Sequence, residues 1–579
     1  MPKINKKGKI ILSVIAFLLV TPLTIFYVLD GAGVFDTRSR AGEENVLPEK
    51  FKPADLNADN KISIADFSIW LSNFRQFKVN PTAFSDMSDL NDDGAIAIAD
   101  FVIWLGLWRE YKALNTPVVP PVTPPVADLT TLGTGADGDI TVNSDVNIST
   151  SSMAIGRSCA DAKAYSVVRF DSNTVAVVNE GVDAACIKAG DEVLVIGLSG
   201  TGTNVETVGN YENFIVSSVA GDKVTFTTAK TKSFGSKIVL QRVPQYRDVN
   251  IVAGKTLSSS SWDGTTGGVI FFRATGTVNV EGIISVNGTG YRGGAAGILL
   301  NYKGGEGGEA FCGPVSVAGG QGGSGVAANV AGSAGTCGGG GGSGADDDTV
   351  AAGGLGSAVL GGAGGGGGST EDATNAAYNH GGGGGGGGYG TFGYLGEAVD
   401  GNCDGKNGGT NLSGNGGKSR ASSTSVHSGG GGGGGGTYGD VNLGRLFFGA
   451  GGGGGGKGEY YGTPGAGGNG GGVIYIAANT ITVTGVISSN GANGVNGTGA
   501  KYDNSGGGGG GAGGSIKLVG NILNVGVGKT TANGGLGGAA GELTGGTNKG
   551  GDGGSGRIRI EYVTTFTGST NPVSSNAKI

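Results

Sequence analysis

Apolar residues recur at helical spacing in two short segments and at strand spacing through most of the remaining chain. Phe67, Trp70, Leu71 and Phe74 fall at i, i+3, i+4 and i+7, and Phe101, Trp104, Leu105 and Trp108 repeat the pattern. Each set lines one face of a helix. From 130 to 250 the runs YSVVRF, TVAVVN, DEVLVIGL, NFIVSSV, KVTFTTA and KIVLQRV are short, rich in β-branched residues and separated by Gly, Asp and Asn. Their spacing predicts an all-β unit. Beyond 250 a longer pattern repeats. GGVIFFRATGTVNVEGIISVNGTG (267–290) aligns with GGVIYIAANTITVTGVISSNGANG (471–494), GGSIKLVGNILNVGVGKTTANG (513–534) is a weaker third copy, and GSGRIRIEY (554–562) keeps the first strand. Each copy reads as two period-two strands, an Asn-Gly turn and a glycine-rich excursion, which predicts a β-solenoid or layered sandwich.

Glycine dominates the excursions. It supplies 129 of 579 residues, with eight in a row at 381–388 and again at 429–436, each run preceded by one of the two histidines and followed by a tyrosine. A disordered linker would carry Ser, Glu and Pro and few aromatics. These runs carry Tyr389, Phe392, Tyr438, Phe447, Phe448, Tyr460 and Tyr461 and return to the strand motif. Glycine loses the most entropy on ordering, so an ordered run needs a specific gain. Three-residue-per-turn helices packed backbone against backbone provide one. In composition and layout the region resembles the polyglycine-II bundles of phage tail-fibre tip adhesins and of the glycine-rich domain of the anaplastic lymphoma kinase receptor. That resemblance implies an ordered, adhesive or structural region, with aromatic tips such as Tyr389, Tyr438 and Tyr460 stacking on glycans or packing on the bundle.

The two helical faces each follow an oxygen-rich loop. DLNADNKISIAD (55–66) and DLNDDGAIAIAD (89–100) match position by position. Side-chain oxygens at loop positions 1, 3, 5 and 12, with a carbonyl at 7, wrap a hard cation in the EF-hand manner. The ligands are then Asp55, Asn57, Asp59, Asp66 and the carbonyl of Lys61, and in the second loop Asp89, Asn91, Asp93, Asp100 and the carbonyl of Ala95: two calcium sites. Position 6 needs a positive φ and is Asn60 or Gly94, both tolerant of it. This tandem arrangement resembles type I dockerin modules over residues 50–112. The resemblance implies docking onto a cohesin-like protein through positions 10 and 11, here Ile64-Ala65 and Ile98-Ala99, where cellulosomal dockerins commonly carry a Ser/Thr pair. The alternative is a calcium-stapled spacer, since so small a unit has little core of its own.

Lys3, Lys6, Lys7 and Lys9 precede twenty uncharged residues, 10–29, long enough to span a bilayer as a helix. We read a signal anchor with the rest of the chain outside; a cleaved signal peptide is the alternative. NTPVVPPVTPPVAD (115–128) is an extended spacer. The organisation expected is a membrane segment over 1–30, a linker over 31–49, the dockerin-like module over 50–114, a Pro-rich linker over 115–129, a β domain over 130–250, the glycine-rich β repeat domain over 251–565 and a flexible tail over 566–579. The fold class expected is therefore mainly β with a small α module, polyglycine-II-type excursions and a solenoid or layered sandwich.

Net charge is −7 with 15% charged residues and no basic stripe, which argues against nucleic acid as a partner. The five cysteines form no CxxC, which argues against zinc and thioredoxin-like chemistry. Cys159 with Cys186, and Cys312 with Cys337, read either as local disulfides of an exported chain or as small core thiols; Cys403 is left over. GVGKTT (526–531) lacks the first glycine of a phosphate loop, Leu523 standing there. Neither histidine has an acidic partner at a recognisable spacing, although the two would form a paired site if their runs lay side by side. The acidic stretch GADDDT (344–349) reads as a solvated loop or a weak calcium site. We find no active site. The reading is a membrane-anchored, calcium-binding surface protein with a structural or adhesive glycine-rich domain, a cohesin-like protein and a cell-surface glycan or polysaccharide being its expected partners. A dockerin-borne component of a polysaccharide-degrading complex and a purely structural surface element are the alternatives.

Overall fold

The computed structural model describes residues 49–80, 88–108 and 132–579, apart from 92, 98, 102, 106, 201, 299–302, 316, 324–330, 344–351, 358–360, 370–378, 399–404, 406–412, 418–426, 459–461, 501–502 and 541–547. The apolar segment 10–29, the Pro-rich linker, the GADDDT stretch, Cys403, Tyr460 and Tyr461 lie outside the described residues. Among the described residues no helix is long and apolar enough to cross a membrane. The chain divides into two compact units, Met1–Pro124 and Pro125–Ile579.

In the first unit, helix α1 (Ile64–Val79) starts with a capping box in which Ser63 and Asp66 exchange hydrogen bonds with each other's backbone, which satisfies N–H groups that a helix start leaves open. The described residues from 99 to 108 are helical as well. The two aromatic faces meet: the Phe67 ring lies 5.5 Å from Phe101 and 5.6 Å from Trp104, and Trp70 lies 5.3 Å from Phe101. Phe51, Ile62, Trp70, Ile96 and Trp104 are buried among them.

The second unit is one body. Strands β1 (Gly138–Val142) and β2 (Val146–Asn147) come first. A closed antiparallel barrel follows, with β3 (Ala164–Ser172), β4 (Val175–Val178), β5 (Glu192–Ser199), β6 (Tyr211–Ala220), β7 (Lys223–Phe226) and β8 (Lys237–Arg242) in the order β3-β4-β7-β6-β5-β8. The chain then returns beside β1 with β9 (Gln245–Ile251) and β10 (Thr256–Ser258), and continues as β11 (Val269–Val280) and β12 (Ile283–Ser285). Two-residue strands β13 (Asn379–His380) and β14 (His427–Ser428) introduce the eight-glycine runs. The main sheet resumes with β15 (Val473–Val483) and β16 (Val486–Ser488), then β17 (Gly499–Ala500) and β18 (Asp503–Asn504) join β13 and β14. Long β19 (Ser515–Thr531) and β20 (Arg557–Asn571), with β21 (Ser575–Lys578), complete the chain.

The main sheet has 11 strands, ordered β1-β9-β11-β15-β19-β16-β12-β10-β2, with β20 and β21 beyond β19. All its pairs are parallel, and the aligned repeats lie in register: Val269, Val473, Ser515 and Arg557 share one row. β19 is long enough to pair with β15 along its first half and with β16 at its end. The sheet therefore turns back on itself around a dry core of Ile270, Phe272, Ile474, Ile476, Ile516 and their neighbours. This overturns the expected solenoid or layered sandwich. The repeats stack, but they form the two limbs of one nearly closed parallel sheet, because a single strand belongs to both limbs. Nor is the expected small α dockerin module borne out: the chain is mostly β, with α-helix among the described residues confined to α1 and to the segment 99–108. The barrel is an insertion between β2 and β9, so residues 130–250 and 251–565 share one sheet. Within residues 566–579, read from the sequence as a flexible tail, 566–571 end β20 and Ser575–Lys578 form β21.

The glycine runs lie side by side. From 381 to 388 each residue faces one of three neighbours in turn. Gly381, Gly384 and Gly387 donate to the carbonyls of Asn504, Gly507 and Gly510, Gly382, Gly385 and Gly388 to those of Gly368, Gly365 and Gly362, and Gly383 and Gly386 to those of Glu397 and Tyr394, all at 2.7–2.9 Å. A three-residue turn places one N–H on each face per turn, so no donor is left over among buried backbones. A Cβ built on Gly385 would sit 2.1 Å from the Gly433 carbonyl oxygen, whereas one on Gly181 meets nothing within 4 Å. We expect Gly385→Ala to destabilise the second unit by at least ~2 kcal/mol, the usual scale of overpacking, and Gly181→Ala to leave it unchanged; chemical denaturation of both variants checks this.

Candidate metal loops and a buried ion network

The two oxygen-rich loops fold onto themselves in the same way, bond for bond. The Asp55 carboxylate accepts from the N–H groups of Asp59 and Asn60, and Asp89 accepts from Asp93 and Gly94. Asn57 and Asn91 accept from Asp59 and Asp93, and those two carboxylates accept from Lys61 and Ala95. Asp66 Oδ1 accepts from Leu56 and Asn57 and its Oδ2 from Ser63, while Asp100 accepts from Leu90, Asn91 and Ala97. The sharp turn is made where the sequence placed it, with φ of +62° at Asn60 and +79° at Gly94.

Asp66 and Asp100 are fully buried, and the donors that reach them are the loop's own backbone N–H groups together with the Ser63 hydroxyl. Several N–H donors satisfy each of these buried carboxylates, and each loop holds three carboxylates. This donor set, carboxylate and amide oxygens on a turn with the required positive φ, fits a hard oxygen-seeking cation. Among the described residues no three His, Cys, Asp or Glu side chains converge as a ready metal cluster; the loops combine Asp with Asn and main chain instead. Ile64 and Ala65 open α1, with Ala65 exposed, and Ala99 is exposed at the matching place. Ile98 lies outside the described residues.

The expected aromatic tips point elsewhere. Tyr389 and Tyr438 are buried, 4.7 Å apart, their hydroxyls bonded to Ser515 Oγ and to the Phe448 carbonyl. They anchor the glycine bundle to the main sheet and are withdrawn from any glycan. The eight-glycine runs do start side by side, but the register sets His427 beside Asn379, with Ser428 beside His380.

Sequence reasoning missed a buried ion network where the barrel meets the main sheet. Asp137, just before β1, accepts from Arg242 Nη2 on both oxygens, at 2.5 and 2.6 Å, and from the N–H of Gln245 at 2.7 Å. Arg157 pairs with Asp191 on both oxygens, and the Tyr246 hydroxyl donates to Asp161 at 2.6 Å. Alongside, Glu192 on β5 receives Arg273 of β11 in bidentate fashion, Gln245 Nε2 and Asn213 Nδ2. Both oxygens of all four carboxylates are occupied, so the network joins barrel to sheet and leaves no free acid or base within itself. Its visible trace was an arginine inside each of two apolar runs, KIVLQRV and VIFFRAT, since a buried arginine requires partners.

Removing one partner of such a network leaves an unpaired buried charge. Arg242→Met is expected to cost ~3–5 kcal/mol, while Arg247→Met, which breaks an exposed pair with Asp139, leaves the denaturation midpoint unmoved. Burial also raises the phenols: Tyr389 and Tyr475 are pushed up to about 12, and Tyr246 well above its ordinary value, where the Asp161 charge adds to burial. A raised folded-state pKa contributes stability below the unfolded value of ~10 and loses it as pH rises through the folded one. Stability should therefore hold to about pH 10 and collapse between 10 and 12, with tyrosinate absorbance from these rings appearing only together with unfolding.

No family model, no curated protein and no solved structure matches the chain.

Proposed function

We propose that the chain is an exported, calcium-stabilised surface protein in which a dockerin-like module precedes a rigid glycine-rich scaffold that carries an adhesive surface. The observation that supports it most is the bond-for-bond duplication of the two loops around buried Asp66 and Asp100, an arrangement that a divalent cation would complete. Two features favour export. The structure pairs Cys159 with Cys186 and Cys312 with Cys337 as disulfides, which persist in oxidising compartments, and the apolar segment 10–29 has the length of a membrane anchor. The exposed Ala65 and Ala99 at matching helix starts suit a cohesin-like partner. A scaffold whose backbones interlock suits a protein that must hold its shape outside the cell.

Calorimetric titration of the full chain in detergent with calcium, after chelation, should report two sites. Saturation at a hundredfold over Kd stabilises the first unit by ~2.7 kcal/mol for each site occupied. Asp66→Asn and Asp100→Asn should each remove one site and shift the fluorescence melting of Trp70 and Trp104. An absence of binding heat, with melting indifferent to chelator, would sink the calcium reading.

A further inference from the structure

The outer face of the main sheet changes character halfway along its strands. Over the first half it is covered by buried aromatics such as Phe271. Past the register shifts at Ala274/Thr277 and Gly520/Ile522 it is open, and a row of short polar side chains crosses six strands in register: Thr141, Asn250, Asn279, Thr482, Asn524 and Thr567. Two residues earlier on β11, β15, β19 and β20 a second row runs beside it, Thr277, Thr480, Ile522 and Thr565. Strand spacing and pleat set these points about 4.8 Å apart across the strands and about 6.7 Å along them. No register shift falls between the two rows. The next ones, beyond Asn524, close the grid at its far end.

None of these side chains is charged. Charges appear at its margin: Asp248 and Asp139 where the second row reaches β9 and β1, and Glu281 just past Asn279 on β11. Asp248 accepts from the Thr277 N–H, Asp139 pairs with Arg247, and Glu281 accepts from Asn279 Nδ2. Thr141, Thr277, Asn524, Thr565 and Thr567 are exposed, Asn279 donates to Asn250, and Ile522 is 41% exposed in their midst. The grid itself offers no charge to an ionic ligand, the carboxylates Asp248 and Glu281 standing only at its β9 and β11 margin, and the apolar area is too small for a hydrophobic partner. Hydroxyl and amide groups both donate and accept, which complements a neutral surface of repeated hydroxyls. No aromatic platform grips a single sugar, so attachment must come from many weak contacts made at once.

We propose that this grid is a binding face for an ordered, insoluble, neutral polysaccharide. The inference rests on the adhesive reading above and supplies its ligand class and location. Binding would be insensitive to salt, because no ion pair contributes, and soluble oligosaccharides would compete poorly.

The test is depletion of the calcium-loaded full chain by microcrystalline cellulose and by chitin, at low salt and in 1 M NaCl as an assay condition of order one Debye length below 4 Å. Thr482→Lys with Asn524→Lys, and separately Thr565→Lys with Thr567→Lys, place unpaired charges on the grid. Ser218→Lys, on an exposed barrel position, is the control. Retention of the wild type and the control, with a roughly tenfold loss in both grid variants at unchanged melting temperature, is expected, since an unpaired charge is costly to desolvate. Equal retention of all four proteins would overturn the grid while leaving adhesion standing. Failure of the wild type to bind either solid would overturn the inference itself, and inhibition of ice recrystallisation without polysaccharide binding would show that the ordered hydroxyl lattice is ice.

Discussion

Every buried backbone N–H and C=O has to find a partner, and in this chain the requirement is met in an unusual place. The glycine excursions bury long stretches of main chain with almost no side chains to fill space. A three-residue turn resolves the problem by handing successive donors to three neighbours, so Gly382, Gly383 and Gly384 bond to Gly368, Glu397 and Gly507 in turn. Each neighbour is as close as a missing Cβ allows. The loss of conformational entropy, largest for glycine, is offset by hydrogen bonds that run in all three lateral directions, whereas a strand bonds in two.

The parallel sheet supplies what the glycine bundle cannot, namely an apolar core. Its strands deliver the ends of the runs at fixed register, and Tyr389, Tyr438, Phe447 and Phe448 fill the seam between bundle and sheet. At the other seam, with the barrel, polar chemistry takes over. Two arginines and three aspartates at Asp137, and Glu192 with Arg273, hold the inserted barrel in one orientation at the cost of desolvating charge. The outer face of the sheet is thereby divided into a covered half and an open half, whose central rows of Thr and Asn carry no charged side chain.

The first unit depends on a different device. Its aromatic core is small, and its two loops keep three carboxylates each within hydrogen-bonded turns. Like charges held this close repel one another, and on the function proposed above a divalent ion would supply the counter-charge.

Much of the local structure could be read directly. The loop positions, the aromatic faces of 67–74 and 101–108, the strands of the repeats and the places where only glycine could stand all follow from residue type and spacing, because each depends on neighbours a few residues away. The architecture did not follow. That β19 closes both limbs of one parallel sheet depends on strand length and on partners hundreds of residues apart, and β1, β2, β9 and β10 belong to the same stack without sharing its glycine-rich signature. The ion network was legible only as isolated arginines in apolar runs, since Asp137 and Arg242 are 105 positions apart. The tyrosines beside the glycine runs read equally as tips or as packing, and burial decided between them. Sequence periodicity determined most of the helices, strands and turns, though not the strands beyond 566; the tertiary structure alone decided which of them meet, because hydrogen bonds and ion pairs between distant segments leave no local pattern.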